Sequence, residues 1–139
     1  MINTGDLVLR DMLRKHEGVR SKPYVDTVGK TSIGVGRNLD DVGLSPDEID
    51  LLLRNDTERA FKAAQRVCPT FGTLTPNRQR VLVSMAFNMG QTRLQGFRRM
   101  LFAISMENWD EAASQMLDSR WAVQVGNRAR ELSQMMKEG

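Results

Sequence analysis

Two acids stand out by their placing. Glu17 lies between His16 and Gly18 at the end of an amphipathic stretch, and Asp26 follows nine residues later in a turn. A glycine-punctuated segment, Ser32-Ile33-Gly34-Val35-Gly36, begins six residues beyond Asp26. Two carboxylates held on different elements are the minimum equipment for cleaving a glycosidic bond. One must stay protonated and the other ionised, and only different surroundings can make that so. Each acid also has a plainer reading. Glu17 is then a surface residue near a helix end, and Asp26 is a turn residue favoured by its side-chain hydrogen bonding. Spacing alone leaves both readings open.

The elements that must position these acids can be read along the chain. Leu7, Leu9, Met12 and Leu13 form an imperfect helical stripe over about 6–15, which Gly18 ends. Pro23–Val25 and Thr31–Val35 read as two short strands, with residues 26–30 as the turn between them. After Gly43 helices take over. Ser45-Pro46-Asp47-Glu48 carries a serine cap, a proline at the first position and a capping-box glutamate, and its helix runs toward Val67 before Pro69. At ~1.5 Å per residue such a helix spans ~30 Å, enough to connect two lobes. Thr75-Pro76 starts another that ends at Gly90, and 96–104, 109–117 and 129–136 read as three more. The layout is α+β and mainly α: a small glycine-rich hairpin lobe followed by helices.

With 139 residues the chain is expected to form a single domain (1–139) with a proper core. It is 40% hydrophobic and 27% charged, ordinary globular composition, and no apolar run approaches the ~18 residues of a membrane span. The first residues carry Asp6, Asp11 and Glu17 and lack an uninterrupted apolar stretch, so no secretory signal is expected. A single cysteine, Cys68, leaves no internal disulfide and reads as a bystander thiol. Neither a metal-ligand cluster nor a phosphate-binding loop is visible, so no cofactor and no metal are expected. The nine methionines fit soft core packing better than a sulfur ligand box. A net charge of +3 and a pI near 9.4 favour a polyanionic partner. No basic run or aromatic-interleaved stripe supports a nucleic-acid partner.

Downstream blocks sharpen the reading. The chain resembles the phage-type lysozymes through Glu17-Gly18, Tyr24-Val25-Asp26-Thr27 and Ser32–Gly36. Ala86-Phe87-Asn88-Met89-Gly90, Gly96-Phe97, Trp109–Ala113, Ser119-Arg120-Trp121 and Gly126-Asn127-Arg128-Ala129 continue the likeness in family order. The resemblance implies a two-lobed fold with a small N-terminal β-hairpin lobe (about 17–45), a long connecting helix and a C-terminal helical lobe. That helical lobe would cover about 46–139 and include the N-terminal helix, with the active site in the cleft between lobes. It also implies a muramidase that cuts the β-1,4 bond between N-acetylmuramic acid and N-acetylglucosamine, with inversion. A lytic transglycosylase and a non-catalytic wall-binding protein of the same fold are the alternatives. Peptidoglycan glycan strands would be the partner, and a monomer without stable membrane association is expected. It would be made in the host cytoplasm and reach the wall through a separate membrane-permeabilising protein.

The resemblance also assigns roles residue by residue. Glu17 would be the general acid, its carboxyl raised by partial burial in a cleft, and Asp26 would stay ionised and activate water. Ser32 stands where the family typically has a threonine that holds this water, and its smaller side chain positions less tightly. Arg128 corresponds to an arginine beside the acid, and Phe87, Asn88 and Gln115 to substrate-lining positions. Phe87 reads equally as core packing. Trp109 and Trp121 are expected in the core, and His16 as a bystander. Arg37 replaces a histidine of the best-known member, so any ion pair it makes persists across pH.

Overall fold

A computed structural model describes residues 1–139. The first helix, α1 (Leu7–Glu17), starts where the Asp6 carboxylate accepts the Leu9 amide at 2.8 Å. It stops at Gly18, whose φ of +78° turns the chain while its amide donates to the Arg14 carbonyl. Strands β1 (Arg20–Val25), β2 (Thr31–Gly34) and β3 (Arg37–Asn38) then form an antiparallel sheet in the order β1-β2-β3. Tyr24 faces Ser32 and Val25 faces Thr31, while the register shifts between Arg20 and Tyr24. Pro23, which cannot donate to a ladder, lies in that irregular stretch. The third strand, where Arg37 pairs with Ile33 and Asn38 with Ser32, is an addition to the hairpin read from the sequence.

Helix α2 (Pro46–Val67) opens with the expected capping box. The Ser45 amide donates to Glu48 Oε1 at 2.8 Å, and the Glu48 amide to Ser45 Oγ at 3.3 Å. A short 3₁₀ turn (Phe71–Thr73) leads to α3 (Pro76–Met89), capped by Thr75 Oγ1. Then follow α4 (Gln91–Gln95), α5 (Arg98–Ser105), α6 (Trp109–Leu117), α7 (Arg120–Val125) and α8 (Asn127–Glu138). The fold is therefore α+β and mainly α, as the sequence predicts, with α4 and α7 additional to the helices read there. No helix is long and apolar enough to cross a membrane.

Two compact units are resolved, Met1–Asp50 and Leu51–Gly139, with the division inside α2. Helix α1 falls in the first unit and joins β1 through Gly18-Val19, whereas the family resemblance implies that it groups with the helical lobe. The hydrophobic core lies in the second unit, from Ala60 to Met136. Met85, Met89, Met100, Met116 and Met136 are all buried in it, which is where flexible thioether chains fill irregular gaps. Cys68 is buried as well. Trp121 is buried, and Trp109 packs partly buried against the same core. Arg78 is a buried cation in no salt bridge; burial lowers its pKa, and the charge of Glu107 partly opposes that. Its guanidinium stacks 3.8 Å from the Trp109 ring centroid and donates to the last-turn carbonyls of α8, Met136 at 2.7 Å and Lys137 at 3.0 Å.

In the first unit the joint between β3 and α2 is electrostatic. Arg37 donates to Glu48 Oε1 at 2.6 Å and to the Gly43 carbonyl at 3.1 Å. The Arg37 hydrogen bond, followed by those from Ser45, lowers the Glu48 carboxyl to a pKa of about 2. A carboxyl lowered on folding contributes stability above its unfolded value near 4.5 and loses it as pH falls through about 2. Glu48→Gln should therefore melt below wild type at pH 6–7, and the gap in Tm should close between about pH 4.5 and pH 2. Thermal denaturation followed across that range checks this; a gap that persists unchanged at pH 2 would contradict it.

Candidate active site

Asp26 is fixed by its own turn. Its carboxylate oxygen Oδ1 accepts the Val28 amide at 3.0 Å and the Lys30 amide at 2.9 Å. The Asp26 amide donates to the Lys30 carbonyl at 2.8 Å, and Gly29, at φ +82°, closes the loop by donating to the Asp26 carbonyl. This is the turn role that the sequence already offers for Asp26, but it uses only one oxygen. The other, Oδ2, lies 3.5 Å from the Ser32 hydroxyl, which donates toward it from β2. Ser32 is 2% exposed, the one buried residue among the first fifty. At 3.5 Å this contact is at the outer edge of a hydrogen bond, so Oδ2 keeps most of its capacity to accept another proton donor.

Glu17 ends α1 and is exposed, where the family resemblance implies partial burial, because no element of the first unit covers the end of α1. It borders a surface hollow of about 360 Å³ with Arg10, Leu13, Arg14, Val35 and Gly36. Its carboxylate lies directly against Gly36, a contact that the glycine motif in the sequence does not reveal. His16, beside it, is exposed.

The remaining expected residues lie in the helical unit. Arg128 donates to the Ser84 carbonyl at 3.4 Å and the Ser84 hydroxyl at 3.0 Å. It shares a largely apolar groove with Phe87, Phe61 and Val83. Phe87 is 46% exposed on the wall of that groove, outside the buried core. Asn88 is partly committed elsewhere: its Oδ1 accepts the Trp121 indole N–H at 2.9 Å. Gln115 borders a different hollow, with Phe97 and Arg99, and donates to Glu111 Oε1 at 2.8 Å. The structure thus brings Asp26 together with Ser32, and Phe87 with Arg128, and sets Gln115 apart from the Phe87 groove. No three His, Cys, Asp or Glu side chains gather in a metal-binding group.

Comparison with known proteins agrees with this architecture. The family model for phage lysozyme matches residues 14–137. The chain is 26% identical to the probable T4-type lysozyme 2 of Dictyostelium discoideum, over 94% of each protein. It is 26% identical to the pre-baseplate central spike protein Gp5 of Enterobacteria phage T4, over 96% of this chain but 28% of that protein. It is 28% identical to the peptidoglycan hydrolase gp36 of Pseudomonas phage phiKMV, over 86% of this chain and 14% of that protein. The chain thus spans under a third of the phage T4 relative's length, and nearly all of the Dictyostelium one's. By class it is a glycoside hydrolase of the lysozyme type. More narrowly, the chain belongs to the phage lysozyme family.

Because Oδ1 holds the turn, substitutions at Asp26 separate structure from chemistry. Asp26→Asn keeps an Oδ1 acceptor and should melt within ~0.5 kcal/mol of wild type, whereas Asp26→Ala should lose about 1–2 kcal/mol. Urea denaturation of the two variants checks this, and equal stabilities would refute the turn role.

Proposed function

We propose that the chain is a muramidase that hydrolyses the β-1,4 bond between N-acetylmuramic acid and N-acetylglucosamine in bacterial peptidoglycan, with inversion at the anomeric carbon. The observation that carries this reading is the divided Asp26 carboxylate, one oxygen bound by the turn and the other presented beside Ser32. It lies in a chain whose lysozyme family match spans both acids. Glu17 donates the proton to the leaving oxygen, and the glycan strand seated over it excludes water during the transfer. Asp26 takes a proton from water held with the Ser32 hydroxyl, and that water attacks the face opposite the leaving group. Arg128 and Phe87 are the supporting and substrate-lining residues of the groove in the helical unit, Asn88 offers the glycan its free amide group, and Gln115 serves only a strand that reaches its separate hollow.

The charge balance suits such a substrate. Residues 51–139 hold thirteen Lys and Arg against eight Asp and Glu, while residues 1–50 hold seven against nine. The positive balance therefore belongs to the helical unit, and it favours an anionic wall polymer. The name of the phage phiKMV relative, a peptidoglycan hydrolase, points to the same substrate. The enzyme works as a monomer and reaches the wall from the host cytoplasm through a separate membrane-permeabilising protein.

Digestion of purified peptidoglycan by wild type, Glu17→Gln and Asp26→Asn, with the new chain ends analysed, tests the reading. Wild type should release reducing ends of the α-anomer first, and each variant should lose about 10²–10⁴-fold in rate. Undiminished cleavage by Glu17→Gln would falsify the assignment of the acid. Anhydro-sugar ends would make the chain a lytic transglycosylase, and binding without release a wall-binding protein.

A further inference from the structure

We propose that Gly36 is a positioning residue for Glu17: the absence of a side chain at residue 36 is what lets the acid's carboxylate rest where it does. The inference rests on the reading of Glu17 as the proton donor. A β-carbon built on Gly36 would stand 2.9 Å from Glu17 Oε2, 3.3 Å from its carboxyl carbon and 3.5 Å from its Cβ. The first distance is shorter than real β-carbons tolerate, so the carboxylate lies on the bare α-carbon of Gly36.

Both sides of this contact are held from behind. On the Gly36 side, Arg37 follows directly and pairs with Ile33 in the sheet, and its guanidinium is tied to Glu48 and to the Gly43 carbonyl. On the Glu17 side, the helix end is closed by the Gly18 amide donating to Arg14. Neither backbone can retreat cheaply, whereas the carboxylate is the far end of a flexible side chain. A methyl group at residue 36 is therefore accommodated by swinging the acid aside, and the damage appears in the position of the proton donor more than in the fold. A displacement of about 1 Å at a reacting group costs on the order of 10²-fold in rate.

Gly34 supplies the matched control. Its φ is +69°, the same as that of Gly36, and the two flank Val35 in one turn. Yet a β-carbon at Gly34 would meet nothing within 4 Å. Alanine at either position carries the same left-handed backbone strain, and only alanine at residue 36 meets Glu17.

The experiment compares Gly34→Ala and Gly36→Ala in the full chain by Tm, by kcat and KM on peptidoglycan, and by the ¹³C resonance of the labelled Glu17 carboxyl. Both variants should lose a similar few degrees in Tm. Gly36→Ala should lose about 30- to 100-fold in kcat beyond Gly34→Ala with KM within about twofold, and it alone should move the Glu17 resonance. Equal kcat losses, or an unmoved resonance in Gly36→Ala, would overturn the proposal. If Gly36→Ala does not fold, adding Glu17→Ala should restore folding, and failure to do so also overturns it. Activity surviving in Glu17→Gln would instead sink the role of the acid, while the resonance still reports on the contact.

Discussion

The constraint on which the site depends is that one aspartate must serve a turn and still present a free oxygen. Asp26 solves this by splitting its carboxylate, with Oδ1 saturated by the Val28 and Lys30 amides and Oδ2 turned toward Ser32. The turn thereby does what packing does elsewhere and fixes a side chain that would otherwise sample several rotamers. It also sets the β1–β2 register that brings Ser32 opposite Tyr24, two residues before Asp26. A slip of one residue would turn the Ser32 hydroxyl to the other face of the sheet. The turn and the proposed site are thus one arrangement of atoms.

The next layer is the tie between sheet and helix. Arg37 occupies β3, and Glu48 is at once its ion partner and the reciprocal cap of Ser45 at the start of α2. A neutral partner at residue 48 could fill the cap but would leave the guanidinium without its counter-charge. An imidazole at residue 37 would make the tie depend on pH near neutrality; the guanidinium keeps it charged until Glu48 itself is protonated. Arg37 also anchors the backbone directly behind Gly36. One ion pair, modest for stability because both side chains are about a third exposed, has its larger effect on geometry.

How much of this was legible in the sequence follows the range of each interaction. Caps are local, so Ser45 with Glu48, Thr75 with Pro76 and Gly18 all act as their residue types predict. The two-residue β3 is too short to display an alternating pattern, and α4 and α7, of five and six residues, are too short to display a helical one. For Asp26 the turn reading is met by one carboxylate oxygen and the proposed chemical reading draws on the other, a division that no spacing rule could have shown. Contacts across long stretches of sequence leave no local trace. Trp121 takes up part of Asn88 from thirty-three residues away, and Arg78 reaches the carbonyl of Met136 across fifty-eight. Gly36 shows how a glycine in a motif conceals its reason: its positive φ is suggested by composition, but its neighbour is known only from the fold.

The two units also fix their geometry by different physics. In residues 51–139, alanines, leucines and methionines from α2 to α8 form a continuous core, and a misplaced side chain there is resisted by many small contacts at once. Arg78 extends that logic to a charge, since its stem and its stacking on Trp109 are packing while its donors close the end of α8. In residues 1–50 the only buried residue is Ser32, and position is set by amide-to-carboxylate bonds, caps and one ion pair. Interactions of that kind are few and directional, so each controls a particular angle and none has a substitute. Such interactions orient a side chain without burying it, so the water exclusion that the proposed proton donor needs must come from the bound glycan. Reliance on them also concentrates risk: single atoms at Asp26, Gly36 and Arg37 carry what the helical unit distributes over a whole core.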